Sequence, residues 1–201
     1  MDDEKQKTIL LVEDEKIIAL AESSQLQRFG YNVILASSGN QSVEKFKNNI
    51  NQIDLILMDI NLGDGIDGTE AARQILSIKN IPIVFLTSHS EEEYVNKVKE
   101  ITRYGYIIKN STDFVLKSSI EMAFELFETN EKLLKNEQRL TFALSGANDG
   151  LWDVIMNTNE VYLSKRGCEI LGYTEEELPQ IAKVWSELVH PDDLPATQDA
   201  L

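Results

Sequence analysis

The stretch Leu55-Ile56-Leu57-Met58-Asp59-Ile60-Asn61 is a short apolar run that ends on a carboxylate. Four apolar residues bounded by polar ones predict a buried strand, and uninterrupted strands of this kind are typical of parallel sheets. Asp59 follows at the point where such a strand emerges. The stretch therefore predicts a parallel sheet with a carboxylate at the end of one strand.

Three further apolar runs are followed by polar side chains in the same way: residues 8–12 by Glu13 and Asp14, residues 81–86 by Thr87, and residues 104–108 by Lys109. Open α/β sheets bind their ligands outside the carboxyl ends of the strands, so we expect these side chains to converge. Carboxylates, a hydroxyl and an amine in one crevice form a site for a divalent metal ion and a phosphoryl group.

Residues 8–110 alternate strand-like and helix-like segments. The predicted strands are residues 8–12, 31–35, 81–86 and 104–108 together with the opening stretch, and the predicted helices are residues 17–29, 40–49, 69–78 and 90–101. This alternation predicts a doubly wound, flavodoxin-like α/β domain. The sequence alone does not fix the strand order. In the order 2-1-3-4-5, the switch point lies between the two strands that carry Glu13, Asp14 and Asp59.

Apolar periodicity predicts which helix faces are buried. In the second helix, Val43 and Phe46 are expected to face the core. In the first helix, Gly30 stands where the helix would stop, and one inward face is predicted from Ile17, Ile18, Leu20, Ala21, Leu26 and Phe29.

The composition narrows the class of protein. The net charge is −15, which argues against nucleic-acid binding, because that affinity comes mostly from Lys and Arg. The single cysteine, Cys168, cannot form an internal disulfide, which fits a reducing compartment. The N-terminus has no apolar signal region, and no run approaches the ~20 apolar residues of a membrane span. We expect a soluble, cytoplasmic protein.

The chemistry of the strand ends favours phosphoryl transfer. Carboxylates held close together raise one another's pKa unless a cation lies among them, and Mg²⁺ prefers oxygen ligands. Asp59 can then act as a nucleophile, while Lys109 and Thr87 stabilise the transferred group. Taken singly, a strand-end Asp is more often a cap and a strand-end Lys is usually solvated. Four compatible strand ends are harder to obtain by chance.

Residues 8–128 resemble the receiver domain of a two-component response regulator. The motifs are Leu-Val-Glu-Asp-Glu (11–15), Leu-Met-Asp-Ile-Asn-Leu (57–62), Phe-Leu-Thr-Ser (85–88) and Tyr-Ile-Ile-Lys (106–109). The resemblance implies that Asp59 accepts a phosphoryl group from a kinase phosphohistidine. It implies Mg²⁺ as the cofactor, bound by Asp14 and Asp59, with Glu13 acting through water and Asn61 through its backbone carbonyl. It also implies that Thr87 and Tyr106 form a switch pair.

The same resemblance implies a histidine kinase or a histidine phosphotransfer protein as the partner. It implies self-phosphorylation and slow autodephosphorylation but no enzyme activity on other substrates. One departure is Asn110, where the family usually has proline, so a cis peptide at 109–110 is in doubt.

Three other features of the sequence are weaker evidence for function. Gly63 to Gly68 satisfies G-x-G-x-x-G, but it follows the third strand rather than the first and carries acidic residues, so a flexible loop is favoured. Asp59, Asn61 and Glu70 fit three positions of a calcium loop whose sixth position lacks glycine. His89 is either a rim residue that tunes dephosphorylation or an exposed loop histidine.

Residues 112–144 contain no Gly or Pro and predict one long helix. Leu126, Leu133 and Leu140 are seven residues apart, but the positions four after the first two are Asn130 and Glu137. Two alternatives stay open. The segment is either a solvated helical linker or a weak parallel coiled coil that forms a homodimer.

Beyond this helix, residues 151–155 and 160–163 predict a hairpin, and Thr174 with Glu177 predicts a capping box. Residues 140–201 resemble the first half of a PAS sensor domain, through Asn-Asp-Gly-Leu-Trp-Asp (148–153), Ile-Leu-Gly-Tyr (170–173) and Leu-Val-His-Pro-Asp-Asp (188–193). Such domains have five strands and this segment has two, so we assign it no ligand, and His190 is interpreted as a turn residue.

The predicted organisation is a receiver domain at residues 1–128, a helical linker at 129–144 and a partial α+β PAS module at 145–201. The predicted function is a phosphoacceptor in a phosphorelay without a DNA-binding output. Two alternatives are an N-terminal fragment of a larger hybrid sensor kinase and an interaction module that is never phosphorylated.

Overall fold

A computed structural model describes residues 6–87, 101, 104–147, 149–155, 157–158, 160–174, 176–177 and 189–199. The chain divides into two compact units, residues 1–132 and 133–201. The domain boundaries expected from the sequence, after residues 128 and 144, stay predictions. Within the part of the chain that the structure describes, no helix is long and apolar enough to cross a membrane.

The first unit is built on a five-stranded parallel sheet. The strands are β1 (Thr8–Val12), β2 (Asn32–Ala36), β3 (Leu55–Asp59), β4 (Ile83–Thr87) and β5 (Tyr106–Ile108). Their order is β2-β1-β3-β4-β5, which confirms the predicted fold and its switch point between β1 and β3. Every residue of β1, β3 and β4 is buried, as expected of uninterrupted apolar strands inside a parallel sheet.

Helices cover both faces of this sheet. They are α1 (Lys16–Arg28), α2 (Gly39–Asn48), α3 (Gly68–Ile78) and α4 (Asp113–Ala147). On one face, Leu10, Ile56 and Phe85 pack with Phe46 of α2 and Ile75 of α3. On the other, alternate strand residues such as Leu11, Leu57 and Val84 pack with Leu26 of α1 and Ile120 of α4. The helix predicted at residues 90–101 falls mainly on residues 88–100, outside the described residues, so α4 is the helix predicted as the fifth.

The inward face predicted for α1 is partly wrong. Ile17 is 85% exposed and Leu20 is 64% exposed, whereas the buried residues of this helix are Ala19, Ser23 and Leu26. The helix carries apolar residues around much of its circumference, so periodicity alone fits more than one face. Gly30, at φ +93°, ends the helix as predicted.

Two backbone features shape the end of the sheet near β5. The strand begins at Tyr106, two residues later than predicted, because Gly105 takes a φ of +105° that extended backbone cannot continue. The peptide bonds of the described residues are all trans, and Asn110 has a φ of +64°. Asn tolerates this left-handed region, whereas proline is locked near −65°. The usual proline could therefore not adopt the conformation seen at position 110.

The long helix α4 confirms the prediction of an uninterrupted helix. Its first part belongs to the first unit, where Ile120 and Phe124 are buried against the sheet. The Lys7 Nζ atom lies 2.7 Å from Glu128 Oε1 and 4.1 Å from the centre of the Phe124 ring. Further along, Leu126, Leu133 and Leu140 are 42–58% exposed.

The second unit contains an antiparallel hairpin of β6 (Trp152–Ile155) and β7 (Glu160–Leu163), followed by α5 (Lys165–Leu171) and α6 (Leu194–Asp199). Trp152 pairs with Leu163, and Ile155 pairs with Glu160. Ser164 caps α5 by accepting a hydrogen bond from the Gly167 backbone N–H. In the predicted capping box, the Thr174 backbone N–H donates to Glu177 Oε2 at 2.8 Å, while the helix expected to follow lies largely outside the described residues.

Candidate functional site

The register of the sheet brings the predicted site residues to one edge. Val12 of β1 pairs with Met58 of β3, so Glu13 and Asp59, the next residue in each case, lie side by side at the ends of adjacent strands. Asp59 pairs with Leu86 of β4, and Thr87 pairs with Ile108 of β5, directly before Lys109. Parallel strands end at a common edge of the sheet, and Glu13, Asp59, Thr87 and Lys109 all lie at this edge.

Three carboxylates meet at this edge. One oxygen from each of Glu13, Asp14 and Asp59 lies within 4.8 Å of the other two. Glu13 and Asp59 are buried, at 1% and 3% exposure, while Asp14 is half-buried. Backbone N–H groups hold two of them, because Asn61 donates to Asp59 Oδ1 at 3.1 Å and Gly63 donates to Asp14 Oδ2 at 3.1 Å.

Lys109 is the cation of this group. Its Nζ lies 2.6 Å from Glu13 Oε2 and 2.7 Å from Asp59 Oδ2. Its backbone N–H donates to the Thr87 carbonyl at 2.7 Å, which fixes the start of the side chain against β4. The ammonium therefore bridges the two buried carboxylates.

The pKa values reflect this crowding. Burial raises the pKa of Glu13 and of Asp59, and the charge of Lys109 opposes the shift without reversing it. Burial acts to lower the pKa of Lys109, but its two carboxylate partners outweigh burial and the pKa is raised. One ammonium thus balances only part of the negative charge, and a further cation would stabilise the ionised carboxylates.

The donor set fits Mg²⁺. All three side chains offer hard oxygen ligands, and partly exposed Asp14 leaves room for water ligands. A cavity of about 440 Å³ opens beside the group and is lined by Asp14, Ile60, Asn61, Leu62, Gly63, Asp67 and Thr69. Asn61, whose carbonyl is the fourth expected ligand, therefore lies at the mouth of the site.

The remaining predicted residues have distinct environments. Thr87 is buried at the end of β4, and Tyr106 is 41% exposed on β5. Their roles as a switch pair stay predictions. His89 lies outside the described residues. His190 Nδ1 accepts a hydrogen bond from the Asp192 backbone N–H at 3.3 Å, which is a turn interaction.

The two weaker motifs have structural roles. In the glycine-rich loop, Asp67 caps α3 by accepting a hydrogen bond from the Glu70 backbone N–H at 2.8 Å. The side chain of Glu70 contacts Gln74 and Arg73 and is not part of the carboxylate group. Gly68 packs against the backbone of Asp59 so closely that any Cβ would collide with the Asp59 carbonyl.

Sequence reasoning missed one acidic residue near the site, Glu22 of α1. Burial raises the pKa of Glu22 to about 7, with the Glu13 charge acting in the same direction. A signal was present, because Glu22 lies midway between Ile18 and Leu26 at spacings of four. A carboxylate at such a position interrupts a helical row of apolar residues.

Comparison with known proteins identifies the first unit. The family model of the response regulator receiver domain matches residues 9–121, more than half of the chain. The chain belongs to the response regulator receiver domain family. A second model, the PAS fold, matches residues 160–201, so a receiver is followed by a partial PAS segment, as predicted.

Individual relatives agree with this assignment. The N-terminal domain of a response regulator/sensory box/GGDEF three-domain protein from Carboxydothermus hydrogenoformans is 44% identical, with a TM-score of 0.58, and the match covers 62% of this chain and 98% of that one. The receiver domain of a modulated diguanylate cyclase from Desulfovibrio desulfuricans G20 is 30% identical, with a TM-score of 0.58, over 63% of this chain and 99% of that one.

A curated relative is the transcriptional regulatory protein PdtaR of Mycobacterium tuberculosis. It is 30% identical over 122 residues, which cover 60% of this chain and 58% of PdtaR. The chain thus spans little more than half of that relative. The likeness supports a two-component receiver role.

Proposed function

We propose that this chain is the phosphoacceptor of a two-component phosphorelay and that Asp59 carries the phosphoryl group. The observation that supports the proposal is the carboxylate group itself. Asp59 is buried at a strand end, 2.7 Å from Lys109, with its oxygens near those of Glu13 and Asp14. A nucleophile, a cation and a pair of metal-binding carboxylates therefore share one crevice.

In the proposed reaction, an Asp59 carboxylate oxygen attacks the phosphorus of a phosphohistidine on the partner. An O–P bond forms and the N–P bond breaks, and its electron pair stays on the imidazole nitrogen, which takes a proton from solvent. Lys109 holds the Asp59 carboxylate by an ion pair, and its ammonium can then contact the oxygens of the transferred group. The Thr87 hydroxyl lies at the end of the neighbouring strand and is the proposed second contact.

Glu13, Asp14, Asp59 and the carbonyl of Asn61 would hold Mg²⁺. When bound, the ion neutralises charge on the equatorial oxygens of the transferred group. Glu13 would act through a water ligand, as the resemblance to receiver domains implies. Calorimetry should show weak Mg²⁺ binding that is lost in Asp14→Ala and Asp59→Asn, and equal affinity in all three proteins would contradict the assignment.

We further propose that phosphorylation is transmitted through α4. The Thr87 hydroxyl would move onto the phosphoryl group, and the exposed Tyr106 ring would turn inward. The three exposed leucines of α4 at seven-residue spacing form a homodimer seam in this proposal. A passive helical tether is the alternative, because intervening positions are polar. A phosphate mimic with Mg²⁺ should shift the dimerisation constant, and Leu133→Asp should remove the shift, as sedimentation would show.

The proposed partner is a histidine kinase or a histidine phosphotransfer protein, with self-phosphorylation and slow autodephosphorylation as the only reactions of the chain. The net charge of −15 weighs against a nucleic-acid partner. The transcriptional role of PdtaR concerns a protein that this chain matches over only part of its length.

The test is labelling with a small phosphodonor, with and without Mg²⁺. Wild type should become labelled only with Mg²⁺, Asp59→Asn should not be labelled, and Lys109→Ala should keep its fold with slower labelling. Asp64→Asn is the matched control, because it removes a carboxylate from the nearby loop outside the cluster. Labelling that persists in Asp59→Asn would instead favour an interaction module whose Asp59 is never phosphorylated.

A further inference from the structure

A second cavity, of about 590 Å³, lies between α1 and the segment that joins β5 to α4. Apolar side chains of α1 and of the sheet form part of its wall, among them Ile18 and Leu86. Lys109 lines it as well, so this cavity adjoins the carboxylate site. Its other polar lining residues are Glu22, Ser24, Gln25, Arg28, Asn110, Ser111 and Asp113.

The carboxyl group of Glu22 is the unusual member of this lining. Its Oε2 atom is buried, and no donor among the described residues makes a hydrogen bond to it. A buried carboxylate oxygen without a donor costs free energy, so native structures seldom contain one without a reason. Such an environment favours the neutral, protonated carboxyl.

Glu22 lies close enough to the site to respond to its charge. Burial raises its pKa most, the charges of Glu13 and Asp59 raise it further, and Lys109 lowers it. Glu22 is nevertheless not one of the three carboxylates whose oxygens lie within 4.8 Å of one another. It is thus a neighbour of the proposed metal ligands and not one of them.

We propose that Glu22 couples cation binding to proton release. When a divalent cation enters the site of Glu13, Asp14 and Asp59, the Glu22 carboxyl loses its proton to solvent, and it regains a proton when the cation leaves. The proposal rests on the Mg²⁺ site of the proposed function. It makes the cation affinity of the receiver rise with pH near neutrality, because ionised Glu22 adds a negative charge beside the site.

Other charged groups surround Glu22 and must be separated from it. Asp113 of α4 pairs with Arg28 at 3.3 Å and accepts a hydrogen bond from Gln25 at 2.7 Å. The charged groups that line the cavity or act on Glu22 are Glu13, Arg28, Asp59, Lys109 and Asp113. Glu13 and Asp59 can also release protons to a cation, so only the difference between wild type and a Glu22 variant reports on Glu22.

The experiment is calorimetric titration of the full chain with MgCl₂ at pH 7, in two buffers that differ in their enthalpy of protonation. The buffer dependence of the heat counts the protons released per cation. Glu22→Gln keeps the shape of the side chain and removes its charge. Glu22→Leu removes the charge in an apolar form, in case Gln disturbs the fold. Glu44→Gln, on the exposed face of α2, is the control for a change of net charge.

Wild type and Glu44→Gln should release more protons per Mg²⁺ than either Glu22 variant. Between pH 6 and pH 8, the Mg²⁺ affinity of wild type should rise about fivefold more than that of Glu22→Gln. Equal proton release in wild type and both Glu22 variants would overturn the coupling while leaving the metal site in place. Absence of Mg²⁺ binding in wild type would overturn the coupling together with the metal site.

Discussion

In the first unit every residue of β1, β3 and β4 is buried, whereas in the hairpin of the second unit Trp152, Ile155 and Tyr162 are about half exposed. Parallel strands covered by helices on both faces leave their ends as the accessible part, and those ends are held by fixed neighbours. A two-stranded hairpin is only marginally stable by itself, so it holds its side chains in place much less firmly. The difference shows why a largely buried lysine side chain can be held among several carboxylates in the first unit.

The largest expected effect comes from placing a charge in each region. Leu57→Asp buries an unpaired carboxylate in β3 and should destabilise the first unit by more than about 4 kcal/mol. Val161→Asp in β7 is the matched change in the second unit and should leave the first unit folded. Far-ultraviolet circular dichroism reports mainly on the first unit, which contains α1, α2, α3 and the first part of α4, and both tryptophans, Trp152 and Trp185, lie in the second unit. A loss of the first unit's structure in Val161→Asp would contradict the expectation that the first unit folds without the hairpin of the second.

A smaller effect is expected at Gly68, where α3 approaches the strand end that carries Asp59. Gly68→Ala forces the helix away from the Asp59 carbonyl and should cost about 2 kcal/mol, as overpacking usually does. Gly30→Ala is the control, because its Cβ meets open space and only the positive φ is unfavourable, at about 1 kcal/mol. Equal unfolding midpoints in urea for the two variants would show that the close approach does not constrain the site.

The smallest expected effect is the dependence of stability on pH without divalent cations. Glu22 keeps its proton to pH about 7 in the folded chain, against 4.5 ordinarily, so the folded state binds more protons between these values. Stability should therefore fall as pH rises through this window, by about 1–2 kcal/mol after solvent screening. Glu13 and Asp59 act in the same direction.

Urea unfolding at pH 5 and pH 8 measures this change. The stability of the Glu22→Gln variant should depend less on pH than that of wild type, because the variant lacks the carboxyl whose pKa is raised to about 7. The fluorescence of the second unit should change little with pH, because the three carboxyls with raised pKa values, Glu13, Glu22 and Asp59, lie in the first unit. A wild-type stability that rises from pH 5 to pH 8 would reverse the predicted sign.

The sequence was sufficient to predict the strands and the polar residues at their ends, while the strand order needed the general rule for doubly wound sheets. Uninterrupted apolar runs such as residues 55–58 have few alternatives to a buried strand, and a polar residue directly after such a run must appear at its end. The order 2-1-3-4-5 then places Glu13 and Asp59 side by side. Local pattern and topology agree here, so residues far apart in the chain could be assigned to one site.

Other features depend on tertiary context and were not predictable. The exposure of Ile17 and Leu20 could not be inferred because α1 is apolar on more than one side. The environment of Glu22 depends on the segment after β5, because Asn110 and Ser111 line the same cavity as Glu22. The φ of +64° at Asn110 follows from how that segment leaves the sheet, and a single residue type does not reveal it.

The residue that carries the phosphoryl group can be identified chemically. The full chain is treated with a small phosphodonor and Mg²⁺ and then reduced with borohydride, which converts an aspartyl phosphate to homoserine, and the peptides are sequenced by mass spectrometry. We expect homoserine at position 59, and none there when the donor or Mg²⁺ is omitted. Homoserine at Asp14 or elsewhere, with Asp59 unmodified, would contradict it.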